Sequence, residues 1–207
     1  MSKTSLFIVI ITTLLSFTLT AKSEEIFFGA DIGIGILNVG AKENAKKISD
    51  LSGSTVSTDY DTGEGVARFY TGYKLNETII LELGYFNTGD VKARYTLSGN
   101  TANERYEASG FDTSIVYSFD ASEKLGQKTN IDVFFKAGLH FSTLDGNENI
   151  IIGGTSYATK ATDSGTGYLI GAGYDYDDKN RIGVSFYRAL GGQSKNNLSF
   201  IYYGYKF

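Results

Sequence analysis

Residues 28–36 read Phe-Gly-Ala-Asp-Ile-Gly-Ile-Gly-Ile, and this stretch decides the fold. Its side chains fall into two alternating sets, one wholly apolar and the other small or charged: Gly29, Asp31, Gly33 and Gly35. A period of two is that of a β-strand, whose successive side chains point to opposite faces. The bulky side chains all lie on the apolar face, and the other face carries only glycine and one aspartate. The stretch therefore predicts a strand with one face toward lipid and the other toward the lumen of a membrane barrel.

Seven further runs repeat this alternation, and all contain aromatic or β-branched residues. They cover residues 65–73, 79–86, 111–119, 131–142, 168–175, 182–187 and 200–207. Eight is an even strand number and the smallest usual for a bacterial barrel. The sequence therefore predicts an all-β fold, an eight-stranded antiparallel transmembrane β-barrel.

The connections between the runs differ in length on the two sides of the predicted barrel. Short segments at 74–77, 120–130 and 177–181 alternate with long polar ones at 41–62, 87–107 and 143–164, and 190–196 is brief. Short periplasmic turns and long extracellular loops are typical of outer-membrane barrels. Within the first long segment we expect residues 41–51 to form solvated loop rather than helix.

Composition excludes several classes of function. The 207-residue chain has no cysteine, a single histidine (His140) and a net charge of −4. Disulfides, thiolate metal sites and multi-histidine metal sites are therefore excluded, and we expect no metal or cofactor. A negative net charge does not indicate a protein that binds nucleic acid. A mean hydropathy of −0.13 argues against a polytopic helical membrane protein.

The N-terminal segment has the pattern of an export signal. Lys3 precedes an apolar run over residues 6–19, and Ala21-Lys22-Ser23 supplies small residues for cleavage. The run is shorter than the roughly 20 residues that a spanning helix needs. We expect residues 1–23 to be a signal peptide and residues 24–207 to be the outer-membrane β-barrel domain.

The lumen face of the predicted strands carries ionisable side chains. They are Arg68, Glu82, Asp112, Lys136, His140, Asp175 and Lys206. If Tyr73 faces Ile79, Tyr70 lies opposite Glu82 and Arg68 lies on the diagonal, within reach of a long side chain. Buried ions need partners, and the interior of an eight-stranded barrel is narrow. The residues therefore favour a charge-paired plug over a regulated pore.

The order of several short motifs resembles that of the OmpA-like and OmpX-like small outer-membrane barrels. The motifs are the glycine-alternating first strand, Gly72-Tyr73, Leu81-Glu82-Leu83-Gly84-Tyr85, Gly171-Ala172-Gly173-Tyr174 and the aromatic-rich segment 202–207. The resemblance implies a bacterial outer-membrane location with loops facing the cell exterior. It also implies contact with outer-membrane lipid and lipopolysaccharide.

Two further expectations follow from the resemblance. Tyr203, Tyr205 and Phe207 would carry the signal that the barrel-assembly machinery recognises, and the same side chains would also serve as a lipid-facing aromatic girdle. Glu82 stands where a glutamate of OmpA-like barrels forms lumenal salt bridges discussed as an ionic gate. The alternative to a plug is therefore a small or gated passive channel.

His140 and Ser142 allow a third, less favoured hypothesis, that of a lipid A-modifying hydrolase. Some outer-membrane lipid A deacylases use a His-x-Ser pair with a glutamate, here Glu148. The strand pattern places His140 and Ser142 in the lumen, away from lipid substrate. We therefore expect a non-enzymatic barrel that presents polar loops for adhesion, host interaction or envelope integrity, with a host or surface molecule as a possible ligand.

Overall fold

The computed structural model describes residues 26–52, 54–61, 63–98, 100–121, 131–152, 154–190 and 197–207. The predicted signal peptide lies outside these residues and stays a prediction. The elements in chain order are β1 (Ile26–Asn38), α1 (Ala41–Ser52), β2 (Ser57–Tyr60), β3 (Glu64–Lys74), β4 (Ile79–Thr88), β5 (Val91–Leu97), β6 (Asn100–Asp120), β7 (Asp132–Ile152), β8 (Thr155–Asp175), β9 (Asn180–Ala189) and β10 (Asn197–Lys206).

Eight of these strands close into a ring of antiparallel neighbours. Its order is β1, β3, β4, β6, β7, β8, β9, β10 and back to β1, with β6–β7 and β1–β10 as pairs that complete the circle. Closure gives every strand two partners at the level of the ring, so no strand edge meets lipid there. The predicted fold class, an eight-stranded antiparallel barrel, is confirmed.

The two faces of the ring differ as the first strand predicts. Ile32 and Ile34 are 67% and 68% exposed, whereas Asp31 between Ala30 and Ile32 is 0% exposed. The same contrast recurs around the ring, where the outward face carries exposed apolar side chains: Phe28, Phe69, Phe111, Ile115, Phe135, Leu139, Ile170, Val184, Ile201 and Tyr203. An apolar exterior around a polar interior is the arrangement of a barrel in a bilayer.

The β3–β4 register differs from the predicted one by two residues. Tyr70 lies opposite Gly84, and Glu82 lies opposite Gly72. The turn causes the shift, because the Leu75 amide donates to the Ile79 carbonyl at 2.9 Å and so closes a tighter loop than expected. The prediction that Tyr70 faces Glu82 is therefore wrong.

Three strands continue well past the ring at one end. β6, β7 and β8 each have 21 residues, whereas β9 and β10 have 10. We call this part the extension: β2, β5 and residues 100–107 of β6, 143–152 of β7 and 155–165 of β8. Ten residues of β7 correspond to about 30 Å of strand beyond the ring. Most of the predicted loops at 87–107 and 143–164 are therefore strand.

A β-bulge separates the ring from the extension. Asn87 lies opposite Ser109 while Val91 lies opposite Tyr106, so three residues of one strand face two of the other. The hydroxyl of Thr88 accepts a hydrogen bond from the Ala108 amide at 2.9 Å within the bulge. The extra residue changes the alternation, because the inward-facing residues are even-numbered in β4 and odd-numbered in β5.

Helix α1 covers part of the inner face of the extension, so the prediction of a solvated loop at 41–51 is wrong. Ala41 and Ala45 are buried in one apolar cluster with Val91, Ala93 and Tyr95. The burial of this face, rather than helix propensity, stabilises so short a helix. Within the described part of the chain, no helix has the length and apolar character needed to cross a membrane.

Candidate functional site

Arg68 occupies the centre of the lumen and contacts three carboxylates. Its guanidinium donates to Asp31 at 3.1 Å, to Glu82 at 3.1 Å and to both oxygens of Asp112 at 2.7 and 2.9 Å. All four side chains have zero exposure. Charge-assisted and partly bidentate bonds of this kind are the strong ones in proteins, and they hold strands β1, β3, β4 and β6 together from within.

Arg181 extends the same network toward the short-turn end. It donates to the second oxygen of Glu82 at 2.8 Å and to Asp175 at 3.0 Å, and Lys206 donates to Asp175 at 2.7 Å. Glu82 thus lies between two arginines. The sequence analysis missed Asp31 and Arg181 as members. Asp31 could have been found, because alternation places it on the inward face of the first strand. Arg181 was not considered, because it stands one residue before the predicted start of the seventh strand.

The lumen network is close to electrically balanced. Its buried acids are Asp31, Glu82, Asp112 and Asp175, and its bases are Arg68, Lys136, Arg181 and, at the rim, Lys206. The Lys136 ammonium lies 4.9 Å from the centre of the Tyr202 ring and has no hydrogen-bond partner among the described residues. Balance between acids and bases lowers the cost of burying these charges.

Lumenal glycines make room for these long side chains. A Cβ on Gly84 would lie 2.6 Å from Nε of Arg68, and one on Gly171 would lie 2.7 Å from Cε of Lys136. Each long side chain therefore lies across a glycine of a neighbouring strand. The alternating glycines provide space in a lumen that the arginines and lysine fill.

An aromatic layer lies above the charges, toward the extension. Phe86 and Tyr187 have ring centres 4.8 Å apart, Tyr187 and Phe200 5.8 Å, and Phe200 and Tyr202 5.2 Å. The Tyr187 hydroxyl donates to Asp112 at 3.1 Å and so joins the two layers. We use "plug" for these layers together.

His140 and Ser142 lie in the lumen but are not arranged for catalysis. Neither ring nitrogen of His140 hydrogen-bonds to Ser142. Both residues line a cavity of about 30 Å³, which has room for little more than water. Glu148 lies eight residues further along β7, about 26 Å of strand from His140. The structure therefore does not bring the three residues together.

Three aromatic residues at the end of the chain point outward. Tyr203, Tyr205 and Phe207 are 47%, 36% and 74% exposed, and Tyr203 donates a hydrogen bond to Asn180 of β9. This position suits a lipid-facing girdle at the short-turn end. Recognition of these residues by an assembly machinery stays a prediction.

The inner face of the extension carries two opposed carboxylates. Glu104 of β6 lies directly opposite Glu148 of β7. The hydroxyls of Tyr95 and Tyr106 donate to one oxygen of Glu104 at 2.9 and 2.6 Å. Burial, followed by the nearby charge of Glu104, raises the pKa of Glu148 above its ordinary value.

The outer face of the extension is polar and carries cations. Lys92, Arg105 and Lys160 lie at the same level on β5, β6 and β8, with Asn147 of β7 between the last two. Arg105 forms an ion pair with Asp90. The same face also carries Asp59, Glu107 and Asp145, so its charges are mixed, while the opposite face carries Glu104 and Glu148.

These features define the class of protein: a closed eight-stranded barrel, apolar outside and plugged by ion pairs inside, is a transmembrane β-barrel. The family model described as "OmpA-like transmembrane domain" matches residues 21–190. The chain belongs to this family and is an outer-membrane β-barrel of the OmpA-like type.

Several solved structures resemble the chain at low sequence identity. Neisserial surface protein A is 14% identical, with 88% of this chain and 96% of that chain covered and a TM-score of 0.43. Ail of Yersinia pestis is 12% identical, with 88% and 99% covered and a TM-score of 0.45. OprG from Pseudomonas aeruginosa is 10% identical, with 88% and 94% covered and a TM-score of 0.40. A search of curated proteins found no match.

Proposed function

We propose that the protein is a non-enzymatic surface scaffold, whose barrel anchors the extension outside the cell for adhesion or contact with another surface. The observation that carries the proposal is the pair of long hairpins, β4–β5–β6 and β7–β8, which leave the ring at the same end. Polar side chains cover their outer face. Sheet that continues beyond the ring is not needed to span a bilayer, which supports a role for it in recognition.

The plug supports a scaffold rather than a pore. A conducting path past Glu82 would require its bonds to Arg68 and Arg181 to break together. Breaking a buried ion pair typically costs about 3–5 kcal/mol, because it leaves an unpaired charge in a medium of low dielectric. Purified protein in planar bilayers is therefore expected to show no steady conductance. Regular single-channel steps would favour the gated channel instead.

The orientation of the extension is tested by cysteine labelling, which the absence of native cysteine makes clean. We expect Ser156→Cys, in the extension, to react with a membrane-impermeant maleimide on intact cells. We expect Glu77→Cys, in a short turn, to react only after lysis. Both variants should fractionate with outer membranes and change gel mobility on boiling. The reverse labelling pattern contradicts an exterior extension, and a soluble fraction without a heat shift contradicts the barrel itself.

The role in adhesion is tested by shortening one hairpin. Residues 147–160 are replaced by Asn-Gly, which closes the β7–β8 pair with a two-residue turn. Cells carrying the shortened protein should adhere to a test surface no better than cells without it, at equal amounts in the outer membrane. If adhesion is unchanged and detergent sensitivity rises instead, the protein serves envelope integrity rather than contact.

A further inference from the structure

The lipid-facing wall of the ring differs from one side of the barrel to the other. At the end that faces the extension, β4, β6 and β7 carry a row of exposed aromatic side chains: Tyr85, Phe111 and Phe141. On β9, β10 and β1 the wall instead carries Arg188, Asn197 and Asn38, which lie side by side. Among the described outward-facing residues of the ring strands, Arg188 alone is basic. One part of the wall is therefore distinguished by a polar row that contains a cation.

This polar row lies near the border of the apolar band. Eight residues of β10 separate Tyr205, in the aromatic girdle of the short-turn end, from Asn197, which corresponds to about 26 Å of strand. With the usual strand tilt of about 40°, that length spans about 20 Å of the membrane, close to the roughly 25 Å height of the apolar band in such barrels. Arg188 is therefore at the level of the lipid head groups on the extension side.

The charges around the ring favour an anionic head group at Arg188. Its side chain is exposed and forms no ion pair with any described residue. A free guanidinium can bind a phosphate group through two parallel hydrogen bonds. Across the barrel, at the base of the extension, the exposed carboxylates of Glu107 and Asp145 lie opposite each other on β6 and β7. A phosphate group is therefore attracted to the β9 side and repelled on the β6 side.

An apolar groove of about 780 Å³ lies in the same part of the wall, directly next to the polar row. The groove residues nearest to Arg188 form the adjacent outward row: Ile36, Ser199, Phe186 and Ile170. This row is two residues, about 7 Å of strand, from that of Arg188. Ser199 and Ala172 are small side chains among larger ones, and they leave the wall indented. The groove opens toward lipid, so a hydrocarbon chain fits it.

We propose that this part of the wall binds one lipopolysaccharide molecule of the outer leaflet, with a phosphate group of its lipid A on Arg188 and an acyl chain in the groove. The inference goes beyond the proposed function, because it concerns the barrel wall and requires only that the extension lies outside the cell. Lipid A carries its phosphate groups and its acyl chains on the same two sugars, so the two lie next to each other as Arg188 and the groove do. Basic side chains at a membrane surface recognise phosphorylated lipids in this way.

The test is native mass spectrometry of the purified, folded protein in detergent micelles with added lipid. Diphosphoryl lipid A should bind saturably, with one molecule per barrel. Lipid A without its phosphate groups should bind about tenfold more weakly, because it lacks the groups that pair with Arg188. Phosphatidylglycerol, with one phosphate and two acyl chains, should also bind more weakly than diphosphoryl lipid A. Equal affinity for diphosphoryl lipid A and for either of the other two lipids overturns the proposal.

The contribution of the cation is measured with Arg188→Gln. This variant should bind diphosphoryl lipid A about tenfold more weakly than the wild type and should bind the dephosphorylated lipid equally well. Arg105→Gln, which removes an exposed cation from the extension, is the matched control and should bind both lipids normally. Unchanged binding by Arg188→Gln, or an equal loss in the two variants, contradicts a phosphate site at Arg188.

The contribution of the groove is measured with Ser199→Leu. Leucine suits a lipid-facing position, so the barrel should keep its heat-dependent mobility, while both forms of lipid A should bind about fivefold more weakly because the groove is filled. Thr113→Leu, at an exposed outward position of β6 across the barrel, should bind normally. Normal binding by Ser199→Leu, or equal weakening by Thr113→Leu, excludes the groove as the acyl-chain site. These measurements use purified protein, so their failure leaves the labelling and adhesion results standing.

Discussion

The ring and the extension share the strands β6, β7 and β8, but their inward faces differ in chemistry. Inside the ring, inward side chains such as Arg68 and Glu82 are charged, paired and fully enclosed. In the extension, the inward face is apolar and aromatic near α1 and carries Glu104 and Glu148 beyond it. The interior of the closed ring is shielded from water, so most of its charged side chains are held in ion pairs. The open extension meets water and has no such restriction.

The comparison predicts that an ion pair in the ring affects stability far more than one in the extension. Arg68→Met should destabilise the barrel by about 3–5 kcal/mol, because it leaves three buried carboxylates without their shared partner. The measurement is urea-induced unfolding in lipid vesicles, followed by tyrosine fluorescence. This is the largest effect we expect from a single lumenal substitution.

Arg105→Met is the matched control for Arg68→Met. The Arg105 side chain is 56% exposed and pairs with Asp90 in the extension. Exposed ion pairs contribute little because water screens them. The unfolding midpoint of this variant should therefore stay at that of the wild type. Equal losses in the two variants would contradict the distinction between ring and extension.

A smaller effect is expected from filling the space beside Arg68. Gly84→Ala places a methyl group 2.6 Å from Nε of a guanidinium that three carboxylates hold in position. The cost of overpacking is about 1–3 kcal/mol, and the same unfolding assay measures it. Gly65→Ala adds its methyl group where nothing lies within 4 Å, so its stability should not fall. A loss with Gly65→Ala as large as that with Gly84→Ala would show that glycine itself, rather than the space, matters.

The ring could be predicted from the sequence because contact with lipid requires apolar side chains on one face of each strand, while the lumenal face carries small or charged ones. Apolar Ile32 and Ile34 alternate with Asp31 and Gly33, and no other environment produces that contrast so strongly. The extension could not be predicted in the same way, because its outer face meets water. Lys92 and Arg94 alternate with Ala93 and Tyr95, a weaker contrast that the bulge at Thr88 shifts by one residue.

The lumen illustrates a second limit of sequence reasoning. Which side chains face inward follows from alternation, and this was sufficient to select Arg68, Glu82, Asp112 and Lys136. Which of these side chains contact each other depends on the shear of the ring. Glu82 and Arg181 are 99 positions apart in the sequence, yet Nη1 of Arg181 donates to Oε1 of Glu82 at 2.8 Å. Alternation within one strand carries no information about that meeting. Only the register of all eight strands defines it.

The smallest effect we expect is local and lies in the extension. The pKa of Glu148 is raised from its ordinary value of about 4.5, so the folded hairpin holds this proton more tightly than the unfolded chain does. The resulting stability is fully present below that ordinary value and is lost as pH rises through the raised one. Hydrogen exchange at residues 145–160, corrected for its intrinsic pH dependence, should therefore show weaker protection at neutral than at acidic pH.

Glu148→Gln tests this origin, because a neutral amide cannot repel Glu104 at any pH. Protection of the hairpin should then be the same at acidic and neutral pH. The other titratable groups near Glu148 are Glu104, Tyr95 and Tyr106, and the two tyrosines stay protonated throughout the range because their pKa values are raised. Asp177→Asn, in a turn at the opposite end of the barrel, should leave the pH dependence intact. If the dependence survives in Glu148→Gln, the proton is held elsewhere, and the opposed carboxylates do not weaken the hairpin at neutral pH.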